Sequence, residues 1–185
     1  MTHYAPKLQV YTGDGKGKTT ACVGLAVRAV GNGFKVWMIQ FDKGYDGVNE
    51  HYAERRVLRT LSGLRLDPTG CERMMPTGRF RFGVTPEDRA EALRALELAR
   101  EAVSSPDFDL VILDEILSAQ QYHLITEDEI RDVLARWRAN PRAELVLSGR
   151  TRLQSVLDEA DLVTEMRKVK HYFDAGVAAR PGIEY

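Results

Sequence analysis

The sequence lacks several features that would assign the chain to a special class. Its 185 residues contain only two cysteines, Cys22 and Cys71, and their separation does not match the close spacing of a metal or redox motif. No apolar run approaches the roughly 18 residues that a membrane span needs. The first residues, Met1–Lys7, show no apolar core of a secretion signal. We therefore expect a cytoplasmic protein with no membrane partner.

The chain also has no excess of charge of either sign. Lysine and arginine number 26 and the two acids 27, which gives a formal net charge of −1. A general nucleic-acid binder needs a basic surface, so this balance argues against a nucleic-acid partner. Hydrophobic content of 44% and charged content of 29% are typical of a globular protein, and the length fits one domain over residues 1–185.

The most informative feature present is a glycine-rich loop between a predicted strand and a predicted helix. The strand is Leu8–Tyr11, the loop reads TGDGKGKTT over residues 12–20, and the helix follows from Ala21. These are the parts of a P-loop, in which backbone N–H groups and a helix N-terminus converge on phosphate oxygens. The generic motif begins with glycine, whereas this chain has Thr12 there. A solvated turn would also collect glycine and lysine, but the flanking strand and helix favour phosphate binding.

The P-loop pattern gives specific roles to its side chains. Lys18 is predicted to be the mobile cation and a catalytic residue, and the Thr19 hydroxyl is predicted to ligate Mg²⁺ or Mn²⁺. The predicted phosphate contacts are Gly13, Asp14, Gly15, Lys16, Gly17, Lys18, Thr19 and Thr20.

A second candidate group lies at the end of an apolar strand predicted over residues 109–115. Its last residues are Asp114 and Glu115, and α/β folds place their ligand crevice at the carboxyl ends of strands. Acids there commonly hold the metal that bridges nucleotide phosphates. We predict both as metal ligands and Glu115 also as a catalytic residue, which either orients water for hydrolysis or helps to hold Mg²⁺ and its waters. The alternative is that both acids cap the helix that follows.

Periodicity along the chain predicts alternating strands and helices. Capping-box signatures begin helices at Thr85, with Asp88, and at Thr126, with Glu129. A further helix is predicted over 49–61, with its apolar face at Tyr52, Val57, Leu58 and Leu61, and a loop over 67–83. The stripe Ala92, Leu93, Leu96, Ala99 and Val103 should be buried. The remaining strands are predicted over 35–41, 64–66, 144–148 and 161–166.

The predicted strands are apolar on both faces, which is typical of a parallel sheet between two helical layers. The sequence therefore predicts an α/β fold of the P-loop NTPase (RecA-like) type, with a mostly parallel sheet covered by helices on both faces.

Several stretches together resemble the P-loop corrinoid adenosyltransferases, which act on cobalamin or cobyrinic acid diamide. The closing stretch, over residues 169–185, is the most specific because it belongs to no general nucleotide-binding motif. The matching stretches are TGDGKGKTT at the loop, QFDKG at 40–44, DLVILDE at 109–115, ELVLSGR at 144–150, ADLVTEM at 160–166 and VKHYFDAGVAARPGIEY at 169–185.

The resemblance implies an enzyme of adenosylcobalamin biosynthesis or salvage, with ATP and a reduced corrinoid as substrates. In this family Co(I) attacks the 5′ carbon of ATP and displaces triphosphate, and ATP is expected to lie across the P-loop in the reverse of the usual direction. A homodimer and an electron-donating flavoprotein reductase are further implied partners.

The chemistry of this family suggests roles for three residues outside the nucleotide motifs. Phe80 and Phe82 are candidates to cover the lower face of cobalt, and the alternative is that they close the core beneath a long loop. Arg150 is a candidate contact of phosphate or a corrinoid carboxamide, and the alternative is a solvated charge that caps a helix.

Two other functions stay open at this point. The P-loop and the acids also suit a small ATPase or nucleotide kinase, which would release ADP. A non-catalytic, nucleotide-dependent binding module would bind ATP without turnover. Fold alone does not choose among these functions.

Overall fold

A computed structural model of the chain describes residues 5–44, 50–73, 81, 83–151 and 153–185. Phe80 and Phe82 lie outside the described residues. Six strands form one sheet in the order β3-β2-β4-β5-β1-β6, and every pair in it is parallel. The strands are β1 (Leu8–Thr12), β2 (Val36–Gln40), β3 (Leu64–Pro68), β4 (Leu110–Asp114), β5 (Glu144–Ser148) and β6 (Leu162–Glu165).

The parallel register brings the polar ends of the central strands to one edge of the sheet. Gln40 at the end of β2 lies opposite Asp114 at the end of β4. Strand β5 lies between β4 and β1, and its last residue, Ser148, pairs with Tyr11. The glycine-rich loop leaves β1 at this same edge, so the two predicted halves of the site share one end of the sheet.

Helices cover the two faces of the sheet. The first helix lies on one face with Met38, Ile112 and Val146, while alternate strand residues such as Ile39 and Leu113 pack on the other face with the third and fifth helices. The helices are α1 (Lys18–Gly31), α2 (Glu54–Leu58), α3 (Pro86–Ser104), α4 (Ile116–Gln121), α5 (Glu127–Ala139) and α6 (Gln154–Glu159), and a 3₁₀ turn spans Tyr172–Ala175. This arrangement confirms the predicted α/β fold class.

The two capping predictions are confirmed. The Thr85 hydroxyl accepts from the Asp88 N–H and the Asp88 carboxylate accepts from the Thr85 N–H at the start of α3. Thr126 and Glu129 form the same reciprocal pair at the start of α5. Both boxes satisfy backbone donors that a helix N-terminus leaves free.

Several sequence-based details are wrong. Within the described residues the helix predicted over 49–61 covers only Glu54–Leu58, and Val57 is 61% exposed because the buried face of α2 is formed by Arg55 and Leu58. Leu93 is 40% exposed although its predicted stripe is otherwise buried. The loop predicted from residue 67 begins later, because β3 continues to Pro68.

The edge strand β6 is less buried than its apolar sequence predicts. All four residues of β6 are exposed, and Leu162 and Val163 are each 45% accessible. No helix of the described residues is long and apolar enough to cross a membrane.

Candidate nucleotide and metal site

The glycine-rich loop wraps around the ammonium group of Lys18. Gly17 has a φ of 118°, a conformation that glycine adopts readily, and α1 begins at the next residue. Lys18 Nζ donates to the carbonyl oxygens of Gly13 at 2.9 Å and Gly15 at 2.8 Å. Burial lowers the pKa of Lys18, and the nearby Glu115 carboxylate opposes that shift. The loop thus holds a partly desolvated lysine at the start of a helix.

The segment after β6 forms a wall against the loop. The Gly15 N–H donates to the Met166 carbonyl at 2.6 Å, and the Lys168 N–H donates to the Asp14 carboxylate at 2.9 Å. A methyl group at Gly13 or Gly15 would overlap the Met166 carbonyl oxygen. Two of the loop's glycines are therefore needed for close packing against the C-terminal part of the chain.

Because of this packing, the backbone N–H groups of Gly13 and Gly15 are less suited to bind phosphate than the sequence predicts. The Gly15 N–H is already bonded to Met166, and Gly13 presents its carbonyl to Lys18 and does not line the cleft described below. Asp14 and Gly15 do line it, as do the other predicted contacts: Lys16, Gly17, Lys18, Thr19 and Thr20.

Asp114 is fully buried and its carboxylate is bonded on both oxygens. Oδ1 accepts from Ser148 Oγ at 2.6 Å and from Thr19 Oγ1 at 3.1 Å, and Oδ2 accepts from Gln40 Nε2 at 3.2 Å. A buried carboxylate with these partners is held in one orientation. The predicted metal ligands Thr19 and Asp114 therefore lie side by side, although 95 positions separate them in the chain.

Glu115 occupies the N-cap position of α4 in a left-handed conformation, with a φ of 63°. Its N–H donates to Ser148 Oγ at 2.9 Å, and its carboxylate makes no capping bond and lines the cleft. The alternative that the two acids serve as side-chain caps is wrong, because Asp114 bonds to other strands and Glu115 caps nothing. A non-glycine residue in this conformation is a common feature of functional sites.

Lys43 and Arg55 are site residues that the sequence analysis missed. Lys43 Nζ donates to Thr19 Oγ1 at 2.9 Å and lies 3.8 Å from Asp114 Oδ2. Arg55, fully buried, donates to Gln40 Oε1 at 2.7 Å and to the Lys43 carbonyl at 2.6 Å. The guanidinium thus orders both the backbone that carries Lys43 and the amide that contacts Asp114.

A signal for this network was present in the sequence. Buried strands β2, β4 and β5 end in Gln40, Asp114 and Ser148, each a polar residue after an apolar run. Polar residues at adjacent strand ends of a parallel sheet meet at one edge.

A cleft of about 1140 Å³ opens above these groups. Its floor is the loop from Asp14 to Thr20 together with Glu115, and Arg150 lies on its wall. The Arg150 N–H donates to Ser118 Oγ at 2.9 Å, and Gly149 has a φ of 132° where it presses against α4. The turn that carries Arg150 is therefore fixed to the helix that follows the acids.

The side chains of the site suit a hard divalent cation only if another molecule, such as a bound phosphate, supplies further oxygen ligands. The hydroxyl of Thr19 and the carboxylate of Asp114 are oxygen ligands of the kind that Mg²⁺ prefers. Among the described residues no group of three or more His, Cys, Asp or Glu side chains could hold a metal. A metal at Thr19 and Asp114 would need further oxygens, and Mg²⁺ commonly takes these from phosphates and water.

Comparison with known proteins gives a consistent answer. The family model described as ATP:corrinoid adenosyltransferase BtuR/CobO/CobP matches residues 5–185. The chain is 36% identical over 179 residues to the corrinoid adenosyltransferase CobA of Salmonella typhimurium, covering 95% of this chain and 84% of that protein. It is 36% identical over 180 residues to the corrinoid adenosyltransferase of Escherichia coli, with the same coverage of 95% and 84%. Identity to the Pseudomonas aeruginosa protein of that name is 34% over 183 residues, covering 96% and 83%.

Proposed function

The chain belongs to the family of ATP:corrinoid adenosyltransferases BtuR/CobO/CobP, and from that premise we propose how its cleft carries out the transfer. The enzyme moves the adenosyl group of ATP to a corrinoid. The roles of individual residues and of the metal are the part that we propose.

The observation that carries the proposal is that the C-terminal part of the chain contacts the P-loop and lines the same cleft. Residues 166–168 bond to Gly15 and Asp14, and residues 182–185 line the same cleft as the loop. The closing stretch belongs to no general nucleotide-binding motif, yet it lines the cleft that the loop borders. This supports a cleft built for ATP and a second substrate.

We propose that the loop holds the triphosphate as a leaving group. Negative charge develops on the departing oxygen when C5′ is attacked, and preorganised donors and cations aimed at that charge lower the barrier. Lys18 is the central cation, Lys16 and the free amides of the loop add donors, and Arg150 on the wall can reach phosphate or a carboxamide. No proton has to leave the nucleophile, because reduced cobalt attacks with its own electron pair.

Mg²⁺ or Mn²⁺ is the metal that the proposal places at Thr19 and Asp114, with Glu115 as a third contact directly or through water. When bound, the ion neutralises charge on the triphosphate. Asp114 orients the Thr19 hydroxyl by accepting a hydrogen bond from it, so that the oxygen lone pairs point away from the carboxylate.

The remaining expectations stay proposals. Phe80 and Phe82 are proposed to cover one face of the corrinoid. Reversed ATP, a homodimer and a flavoprotein reductase are likewise proposed from the family resemblance alone, and a cytoplasmic location is proposed from the sequence features described above.

The proposal is tested by anaerobic incubation of the protein with ATP, Mg²⁺ and chemically reduced cobalamin. The expected products are light-sensitive adenosylcobalamin and inorganic triphosphate in equal amounts. Release of ADP or diphosphate without a cobalt–carbon bond would rule the proposal out and favour an ATPase or kinase.

A further inference from the structure

Lys43 forms contacts that neither the P-loop pattern nor the proposed catalytic roles explain. Its ammonium group donates to Thr19 Oγ1 at 2.9 Å and lies 3.8 Å from Asp114 Oδ2. These are the same two groups that fit a divalent metal. The side chain is only 13% exposed and also lies over the Tyr52 ring, 4.9 Å from its centroid. The ammonium of Lys43 therefore places a positive charge of the protein itself next to the two groups proposed to bind the metal.

The hydrogen bonds of Thr19 define a conflict between this cation and a metal. Its single hydroxyl proton points to Asp114, so both Lys43 and a metal must use the oxygen lone pairs. A second lone pair exists, but two cations on one hydroxyl oxygen in a partly buried site repel each other strongly.

The position of the Lys43 ammonium is also set by the backbone that carries it. The backbone of Lys43 is fixed on both sides, since its N–H donates to the Thr69 carbonyl at 2.9 Å and its carbonyl accepts from Arg55. The ammonium is thus a stable competitor.

We propose that Lys43 and the divalent metal are alternative partners of Thr19 and Asp114, and that polyphosphate decides between them. An arriving triphosphate supplies oxygens that pair with the Lys43 ammonium and complete the metal's ligands. Metal binding then depends on nucleotide binding, which keeps a free divalent ion from occupying the site. The inference rests on the metal site of the proposed function.

The test measures binding and not turnover, so its failure is distinguishable from failure of adenosyl transfer. The affinity of Mn²⁺ alone is measured by electron paramagnetic resonance of the free ion for the wild type, Lys43→Met and Lys43→Arg. The affinity of inorganic triphosphate is measured by calorimetry in EDTA for the same three proteins.

The two affinities of Lys43→Met should change in opposite directions. Mn²⁺ alone should bind roughly tenfold tighter or more, because a repelling charge is removed from the site. Metal-free triphosphate should bind roughly tenfold weaker, because an attracting charge is lost. Lys43→Arg should keep Mn²⁺ binding weak. A merely structural role for Lys43 would weaken both ligands together.

Lys168→Met is the matched control. Lys168 lines the same cleft, but its Nζ bonds to Asp174 at 3.0 Å and makes no contact with Asp114. Its replacement should leave Mn²⁺ affinity unchanged. Equal or weaker Mn²⁺ binding by Lys43→Met would overturn the proposal, as would a similar gain in Lys168→Met.

A measurement on the wild type adds a second test, in which a variant serves only to assign the signal. The ¹⁵Nζ resonance of Lys43, assigned by its loss in Lys43→Arg, should shift when Mg²⁺ and triphosphate are added together. Saturation of the site by Mg²⁺ alone with no change in that resonance would overturn the proposal.

Discussion

Replacement of Arg55 by methionine tests whether the buried guanidinium organises the site. The Arg55 side chain is 0% exposed, and it donates to Gln40 at 2.7 Å, to the carbonyls of Lys43 at 2.6 Å and Gly44 at 3.2 Å, and to the Glu50 carboxylate at 3.1 Å. Methionine keeps much of the apolar stem and removes all four hydrogen bonds.

Breaking a buried charged network of this kind costs about 3–5 kcal/mol in the free energy of unfolding. For a chain of this size each kcal/mol lowers Tm by roughly 2–4 °C, so Arg55→Met should melt roughly 6–20 °C below the wild type. Arg55→Lys should recover only part of that loss, because an ammonium cannot reach acceptors on three segments with the geometry of a planar guanidinium.

Calorimetry and urea unfolding measure the effect, and Arg56→Met is the matched control. Arg56 is the next residue of α2, is exposed, and donates to the Glu50 carbonyl at 3.1 Å. Its replacement should cost no more than about 0.5 kcal/mol. Equal melting temperatures for the two methionine variants would refute the claim that Arg55 holds this part of the structure.

Three further predictions concern other parts of the chain. Lys18→Ala should lower adenosyl transfer roughly a hundredfold or more in single-turnover assays, and an unchanged rate would remove Lys18 from catalysis. The hydrogen bonds from Arg81 hold the pKa of Asp88 well below its usual range. The ionised carboxylate therefore stabilises the fold at any pH above about 4, the pKa of Asp in the unfolded chain, and this stabilisation is lost as the pH falls below that value. The stability gap between wild type and Asp88→Asn in urea should thus shrink from about pH 5 to pH 2, and a constant gap would contradict the assignment. Gly149→Ala should destabilise by about 2 kcal/mol or more, because φ is positive and α4 is close, whereas Gly24→Ala, in open space on α1, should stabilise by about 0.5–1 kcal/mol; equal effects in urea unfolding would refute this contrast.

The elements that sequence predicted correctly are those with strong local signals. The P-loop strand and helix, the acid-bearing strand β4 and the two capping boxes each follow from a motif or from unbroken apolar residues within a few positions. The helix predicted over 49–61 is longer than α2. That prediction assumed an apolar face, whereas the buried face of α2 includes the fully buried Arg55. Burial of Arg55 depends on acceptors on β2 and on Lys43, Gly44 and Glu50, and no local pattern reveals them.

The site was predictable in its parts but not in its connections. Thr19 and Asp114 were expected to share a metal, and the structure places them in contact. The contact between Lys43 and Thr19 depends on the path of the chain after β2, which the sequence does not state. Exposure of β6 was likewise missed, because its apolar residues look like those of a buried strand.

The central claim is that ATP is cleaved between C5′ and its oxygen, so that the whole triphosphate leaves. ATP labelled with ¹⁸O at the 5′ bridging oxygen tests this most directly, in an anaerobic reaction with reduced cobalamin followed by mass spectrometry. Attack at C5′ predicts that all of the label appears in inorganic triphosphate. Label retained in ADP or another nucleotide product would show phosphoryl transfer and contradict the account.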